Sequence, residues 1–385
     1  MKILHCCLAA FYIDNYGYQE NVLPKMHKLQ GHDVYILAST ETFINNTRLG
    51  YIKDSSYYTN ENIPITRIPY VKWLPHFVAR KLRIYTGILK ILNEFKPDII
   101  FLHDVQFISI KVVANYIRIN PNVKLFVDGH TDFINSATNW VSKHILHKII
   151  YKWCALRIES YVRKFYGVLP LRVDFFKNVY GIPESKLDLL VLGADDTLFD
   201  LSKKESIRER IRNYYGIEND DFLIVTGGKI DKKKNIHLVM KAIQELDQKI
   251  KLIVFGSIND DIKDEINLLS GSKNIRFIGW LPTSNIYDVL LASDLAIYPG
   301  THSVLWEQTV GLGLPCIFKR WEGMQHVDVG GNCLFIDEIT IINIKEIILR
   351  LYNDPLLLNQ MKKTATERGI KRFSYFEIAK YAIEQ

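Results

Sequence analysis

Two glycines and two lysines mark the first place where this chain could hold an anion. Thr226-Gly-Gly-Lys-Ile-Asp-Lys-Lys-Lys-Asn-Ile236 follows a β-branched run and ends where helical spacing begins. Gly227 and Gly228 let the backbone approach a ligand closely, while Lys229 and Lys234 place two cations near a helix N-terminus already suited to anions. A diphosphate fits that set; the alternative is that Lys232, Lys233 and Lys234 form only a solvated turn. A second segment, Tyr298-Pro-Gly-Thr-His-Ser-Val-Leu-Trp-Glu307, runs from a strand through small residues into a helix. The amides of Gly300, Thr301, His302, Ser303 and Val304 suit phosphate, and Glu307 in the first helical turn suits ribose hydroxyls, unless it only complements the helix dipole. In the amino-terminal half, Val127-Asp-Gly-His-Thr-Asp132 follows one strand pattern and His103-Asp104 follows another.

The elements that must position these residues alternate along the whole chain. Apolar runs predict strands at 1–7, 33–38, 98–103, 124–128, 166–170 and 187–192, with helices at 21–30 and 84–94 and a long amphipathic stretch at 139–165. Residues 202–213 are charged, with no strong apolar face, and read as a linker region. Strands resume at 222–226, 251–255, 274–278, 295–299, 315–318 and 333–336, separated by helical segments. This alternation predicts α/β architecture: two doubly wound, Rossmann-like domains with parallel sheets, the first over 1–197 and the second over 198–370. Ligands of such sheets bind beyond the carboxyl ends of the strands, so the cleft between the two domains is the expected site.

The order of these segments resembles the family 4 retaining glycosyltransferases of the GT-B fold. Gly-Lys-x4-Lys-Asn at 228–235, Asp294-Leu-Ala-Ile-Tyr-Pro-Gly300 and Glu307-Gln-Thr-Val-Gly-Leu-Gly-Leu-Pro-Cys-Ile317 carry most of the likeness. Gly17-Tyr-Gln-Glu20, Gly31-His-Asp-Val34, Lys96-Pro-Asp98, Tyr180-Gly-Ile-Pro183, Leu192-Gly-Ala-Asp195 and Arg372-Phe-Ser-Tyr375 resemble its other landmarks in the same order. The resemblance implies that Lys229, in place of the family's arginine, and Lys234 neutralise the leaving diphosphate, and that Glu307 holds the ribose. It implies that Gly17 lies in the loop passing close to the phosphates and that residues 371–385 form a helix returning to the first domain. His130 looks like the family's active-site histidine, with Asp128 and Asp132 orienting it or binding acceptor hydroxyls, and Asp104 in a similar position. The family's first paired glutamate is missing: Pro299 stands eight positions before Glu307, leaving its contact to the loop amides or His302. Lys229 keeps the charge but not the planar fork of arginine.

The resemblance implies hexosyl transfer from a UDP- or GDP-sugar to a glycan or glycolipid acceptor in surface polysaccharide biosynthesis. Two lysines and backbone amides stabilise a departing diphosphate without a metal or other cofactor. The alternatives are a sugar-nucleotide epimerase of the same fold and a non-catalytic sugar-nucleotide-binding protein. Composition agrees with a folded protein: 385 residues, 48% hydrophobic and 24% charged, which excludes a disordered chain. The net charge of +7 favours anionic partners, yet spread over this length and without a recognition motif it does not imply nucleic acid. No G-x-G-x-x-G follows the first strand, which argues against a dinucleotide oxidoreductase. Five cysteines without CxxC spacing read as buried thiols of a cytoplasmic protein. Basic and aromatic residues at 72–83, and Lys143, His147, Lys148, Lys152 and Arg157, could dock on the anionic inner face of a membrane. For the second stretch the alternative is an ordinary helix with its aliphatic side on the sheet.

Overall fold

The computed structural model describes residues 1–44, 48–132, 136 and 139–384. Its packing divides the chain into two units, Met1–Val191 with Ile378–Gln385, and Leu192–Glu377.

Among its described residues the amino-terminal unit contains ten strands: β1 (Lys2–Cys7), β2 (Asp33–Ser39), β3 (Glu41–Ile44), β4 (Arg48–Tyr51), β5 (Ser55–Tyr58), β6 (Pro64–Ile68), β7 (Ile99–His103), β8 (Lys124–Gly129), β9 (Val162–Gly167) and β10 (Leu187–Leu189). Eight of them form one sheet in the order β10-β9-β8-β7-β1-β2-β6-β5, and β3 with β4 makes a separate hairpin. Every pairing in the large sheet is parallel except β5 with β6. β1 and β7 are buried almost throughout, as strands covered on both faces must be. Helices Ile88–Phe95, Ile110–Ile119 and Lys152–Glu159 contribute apolar residues to the main core of this unit.

The carboxy-terminal unit has six strands: β11 (Phe222–Ile230), β12 (Ile250–Ile258), β13 (Ile275–Phe277), β14 (Leu295–Tyr298), β15 (Cys316–Lys319) and β16 (Cys333–Ile336). They form a parallel sheet in the order β13-β12-β11-β14-β15-β16. The strand order reverses between β11 and β14, and such switch points are where doubly wound sheets bind ligands.

Three expectations are corrected. The strand placed at 166–170 begins at Val162 and ends at Gly167; Pro170 instead opens the helix Pro170–Phe175, where its fixed φ and missing N–H are tolerated. Arg163 and Lys164 disguise the strand start because they occupy its less buried positions. The helix expected at 84–94 starts at Ile88, after Gly87 at φ +94°. The stretch read as a linker is the helix Lys204–Tyr215, which belongs to the carboxy-terminal unit. Its inward face mixes Ile211 with arginines: Arg208 and Arg212 lie 2.6 and 3.3 Å from the Asp294 carboxylate, and Arg212 also donates to the carbonyls of Glu218 and Asp221. A face held largely by ion pairs and carbonyls, with Ile207 and Ile211 as its main aliphatic members, leaves only a weak apolar stripe to read. All five cysteines are free and buried.

Candidate functional site

In the carboxy-terminal unit, β11 runs past its β14 neighbour and delivers Gly228 and Lys229 beyond the centre of the sheet. Gly228 has φ +113° and pairs with Gly256, at φ +131°; a Cβ on Gly256 would lie 1.8 Å from the Gly228 carbonyl oxygen. Only glycine fits that approach. Lys229 is exposed at the strand's end. Asp231 caps the following turn by accepting from the amides of Lys233 and Lys234, and Asn235 enters the helix Ile236–Gln244 in the left-handed region.

That turn is tied to the segment after β14. Lys234 Nζ donates to the carbonyls of Thr301 (2.6 Å) and His302 (3.1 Å), and Asn235 Nδ2 donates to that of Pro299 (3.0 Å). Burial lowers the pKa of Lys234, which Asp231 partly counters. Thr226, Gly227, Lys234, Tyr298, Gly300, Ser303 and Trp306 line a small pocket there. Gly300 permits the contact, because a Cβ at this position would lie 2.3 Å from the Lys234 Cα and 2.6 Å from its carbonyl atoms. Gly300→Ala is therefore expected to cost about 1–3 kcal/mol in a denaturant titration, the usual range for overpacking, and to force Lys234 and the loop apart.

Glu307 is fully buried in the helix Leu305–Gly311, and its Oε1 receives two histidines: His302 Nε2 at 2.8 Å and His326 Nε2 at 2.7 Å. Burial would raise its pKa, but His302, then His326, hold it down at about 2. Oε2 is buried and has no hydrogen-bond partner among the described residues. The three side chains also have the chemistry and spacing of a possible metal-ligand set. Ser303 and Val304 are half-buried in the turn before the helix. His326 was not expected; it comes from the turn Gln325–Val327 after β15, and nothing in its surrounding sequence marks it.

In the amino-terminal unit, His130 follows β8 directly. Its Nε2 lies 3.4 Å from Asp128 Oδ1 and 3.8 Å from Glu20 Oε1. Burial would lower its pKa, but Glu20 and then Asp128 raise it to about 9, so the imidazole is cationic near neutrality. Asp128 is fully buried and accepts through Oδ2 from His103 Nδ1 (2.9 Å) and Gln19 Nε2 (3.1 Å). Asp104, at φ +69°, accepts from the Val105 amide and the Thr131 hydroxyl, and Asp132 Oδ2 lies 3.1 Å from Arg172 Nε. All three aspartates are buried and engaged within the unit. Gly17 is exposed two residues before the helix Gln19–Leu29, which supplies Gln19 and Glu20. Glu20, Gln19 and His103 complete the surroundings of Asp128 and His130.

The stretch after this loop has two apolar sides. Over 140–159, wound as a π-helix at Ser142–Tyr151 and as an α-helix at Lys152–Glu159, it buries His147, Tyr151, Cys154, Ala155 and Ile158. Trp140, Val141, Ile145, Ile149, Trp153 and Leu156 are exposed instead, with Lys148 and Arg157 exposed among them. From the buried side, Tyr151 donates to the carbonyl of Lys81, which joins this stretch to the helix His76–Leu82, beside which Trp73 and Phe77 are also exposed. No described helix is long and apolar enough to cross a membrane.

Comparison with known proteins bears on both units. Residues 207–368 match the family model described as glycosyl transferases group 1. An uncharacterized glycosyltransferase of Methanocaldococcus jannaschii is 23% identical over 255 residues, 60% of this chain and 57% of that protein; EpsD of Bacillus subtilis, named as a glycosyltransferase, is 23% identical over 77% of this chain and 72% of its own length. The chain thus spans little more than half the length of the archaeal relative. Among solved structures, Anabaena HepE in complex with UDP-glucose superposes with a TM-score of 0.63 at 15% identity, covering 100% of this chain and 98% of that one. A UDP-GlcNAc 2-epimerase from Neisseria meningitidis gives 0.60 at 14% identity, covering 100% and 99%. The fold is GT-B, with two Rossmann-like units, and it is common to transferases and epimerases.

Proposed function

We propose that this protein, whose residues 207–368 match the glycosyl transferases group 1 model, moves a sugar, with retention and without a metal, from a UDP- or GDP-sugar to a glycan or glycolipid acceptor in surface polysaccharide assembly. The observation that carries this reading is the joining of Lys234 to the loop at 300–303, with Lys229 at the adjoining strand end. As the anomeric bond breaks, charge develops on the diphosphate, and two ammonium groups held in place beforehand lower the energy of that state. Lys234 spends two of its three N–H groups on carbonyls, which leaves the third for the phosphate. Glu307 Oε2 accepts from the ribose. His130, cationic and anchored by Asp128, donates to a hydroxyl of the transferred sugar. HepE, which shares the fold, was solved with UDP-glucose, which supports a nucleotide-sugar donor.

The test is a thermal-shift screen of nucleotides and nucleotide sugars. A ligand present at 100 times its Kd stabilises a folded state that alone binds it by about 2.7 kcal/mol. A rise in Tm with a nucleoside diphosphate, lost in Lys234→Ala, supports the site; no response to any nucleotide sugar rejects it.

A lipid-linked acceptor accounts for the exposed face at 140–157. Aromatic and aliphatic side chains interleaved with lysine and arginine suit the boundary of an anionic bilayer. Ile149→Asp/Trp153→Asp is expected to lower co-sedimentation with phosphatidylglycerol vesicles at least tenfold while leaving nucleotide-induced Tm shifts unchanged.

A further inference from the structure

Three histidines that the proposed chemistry does not use form a buried chain leading to Asp128. In parallel strands, side chains alternate between faces, so register decides which residues meet. His5 on β1 pairs with Phe101 on β7, and His103, two residues further along, pairs with Asp128 on β8; His5, His103 and Asp128 therefore share one face. The helix Gln19–Leu29 covers that face with His27, which reaches the last helix, Tyr375–Glu384, at Ala379. His27 Nε2 lies 2.8 Å from the Ala379 carbonyl oxygen, His27 Nδ1 lies 2.9 Å from His5 Nε2, His5 Nδ1 lies 3.0 Å from His103 Nε2, and His103 Nδ1 lies 2.9 Å from Asp128 Oδ2. All three rings and the carboxylate are 0% exposed.

The ends of this chain fix its proton count. A carbonyl and a carboxylate only accept, so four contacts of hydrogen-bond length each need one proton between their heavy atoms. Three neutral imidazoles bring three. Without a fourth, one pair of lone pairs would face each other at about 3 Å in a dry interior, an arrangement that buried polar groups avoid. We propose that the His27–His5–His103 chain keeps one proton beyond three neutral rings, and that this cation holds Asp128 as a carboxylate aligned on His130. The chain members are positioning residues: they touch neither donor nor acceptor and act through Asp128. This rests on the assignment of His130 to the reacting sugar.

The surrounding groups agree with this placement of charge. Burial would raise the pKa of Asp128, but His103 and then His130 hold it well below the usual carboxylate range. Burial pushes His5 and His27 down, His27 to about 4, so the shared proton is drawn to the Asp128 end. The other titratable groups facing the chain are His32 beside His27, and Glu20, Cys7 and His130 around Asp128.

Two substitutions at His27, remote from the sugar, separate proton count from packing. In His27→Gln the introduced amide can donate to the Ala379 carbonyl and accept from His5, leaving three contacts for two rings and the extra proton in place. His27→Leu leaves two contacts for two neutral rings, and the extra proton departs. Long-range ¹H–¹⁵N correlation on the full chain labelled at histidine, at pH 7.5, is expected to show one ring of the chain with both nitrogens protonated in the wild type and in His27→Gln, and none in His27→Leu. Three singly protonated rings in the wild type would overturn the proposal. In acceptor-dependent turnover, His27→Leu is expected to move the alkaline limb of kcat/KM, set by His130, upward by about one pH unit, the size of effect a lost neighbouring cation produces, while His27→Gln stays at the wild-type position. A lowered rate with unmoved limbs in both variants would contradict the positioning role. If no turnover is found at all, the glycosyl-transfer reading fails, and the ring spectra still decide the proton count.

Discussion

If the proposed transfer is correct, Lys229→Ala/Lys234→Ala is expected to lower kcat/KM for sugar transfer by about 10³-fold, or roughly 4 kcal/mol of transition-state stabilisation, the scale of lost oxyanion donors in other active sites. The loss falls on kcat more than on KM, because the charge the lysines meet is largest as the diphosphate departs. Lys232 and Lys233 provide the internal control. They belong to the same basic run but are exposed on the Asp231-capped turn, and replacing both by alanine is expected to leave kcat/KM within about twofold. If all four lysines mattered equally, the run would be a general anion attractor and the assignment of two specific positions would be wrong.

Glu307→Ala is expected to be the most damaging single change to the carboxy-terminal unit. It strands the Nε2 groups of His302 and His326, each bonded to Glu307 Oε1, and leaves a cavity where a fully buried side chain stood. An unsatisfied buried polar group costs about 1–3 kcal/mol, so a total of about 3 kcal/mol or more is expected in a denaturant titration. Glu307→Gln preserves the shape and one acceptor oxygen and separates stability from binding. It loses the charge that holds the two histidines, and its penalty depends on pH in a defined direction. The carboxyl has a folded pKa near 2 against 4.5 for an ordinary glutamate, so its contribution is complete above about pH 4.5 and disappears as the pH falls through 2. The stability difference between wild type and Glu307→Gln should therefore be largest at neutral pH and shrink in acid. A difference that grows in acid would mean that the carboxylate is not held by the histidines.

How much of this is legible in the sequence depends on whether interacting residues are neighbours along the chain. The turn carrying Lys229, Lys234 and Asn235 is a single segment, so its chemistry can be read from spacing, as can the helix bearing Glu307. His326 joins Glu307 only through the turn after β15, and no periodicity announces it. The chain from His27 to Asp128 spans four elements whose meeting depends on parallel register; as a string of residues, His5 looks like an isolated polar position in an apolar run, His27 stands between Met26 and Lys28 on a helix, and only His103 is marked, by its place after a strand. The helix Lys204–Tyr215 escapes for another reason. Hydrophobic patterning detects faces buried by apolar contact, and this face is buried largely through Arg208 and Arg212 on Asp294, with Ile211 beside them. The exposed face at 140–157 shows the converse, since an apolar pattern there reads equally as core packing or docking and only half of it packs inward.

Acceptor dependence separates the proposed transfer from its rivals. Purified protein should be incubated with the nucleotide sugar that most raises its Tm, with and without a lipid-linked or soluble glycan acceptor, following the free nucleoside diphosphate and the anomeric configuration of any product. Release of nucleoside diphosphate only when acceptor is present, with the donor's anomeric configuration kept in the product, is the expected result. An epimerised nucleotide sugar formed without acceptor, or a donor bound and never consumed, would contradict it.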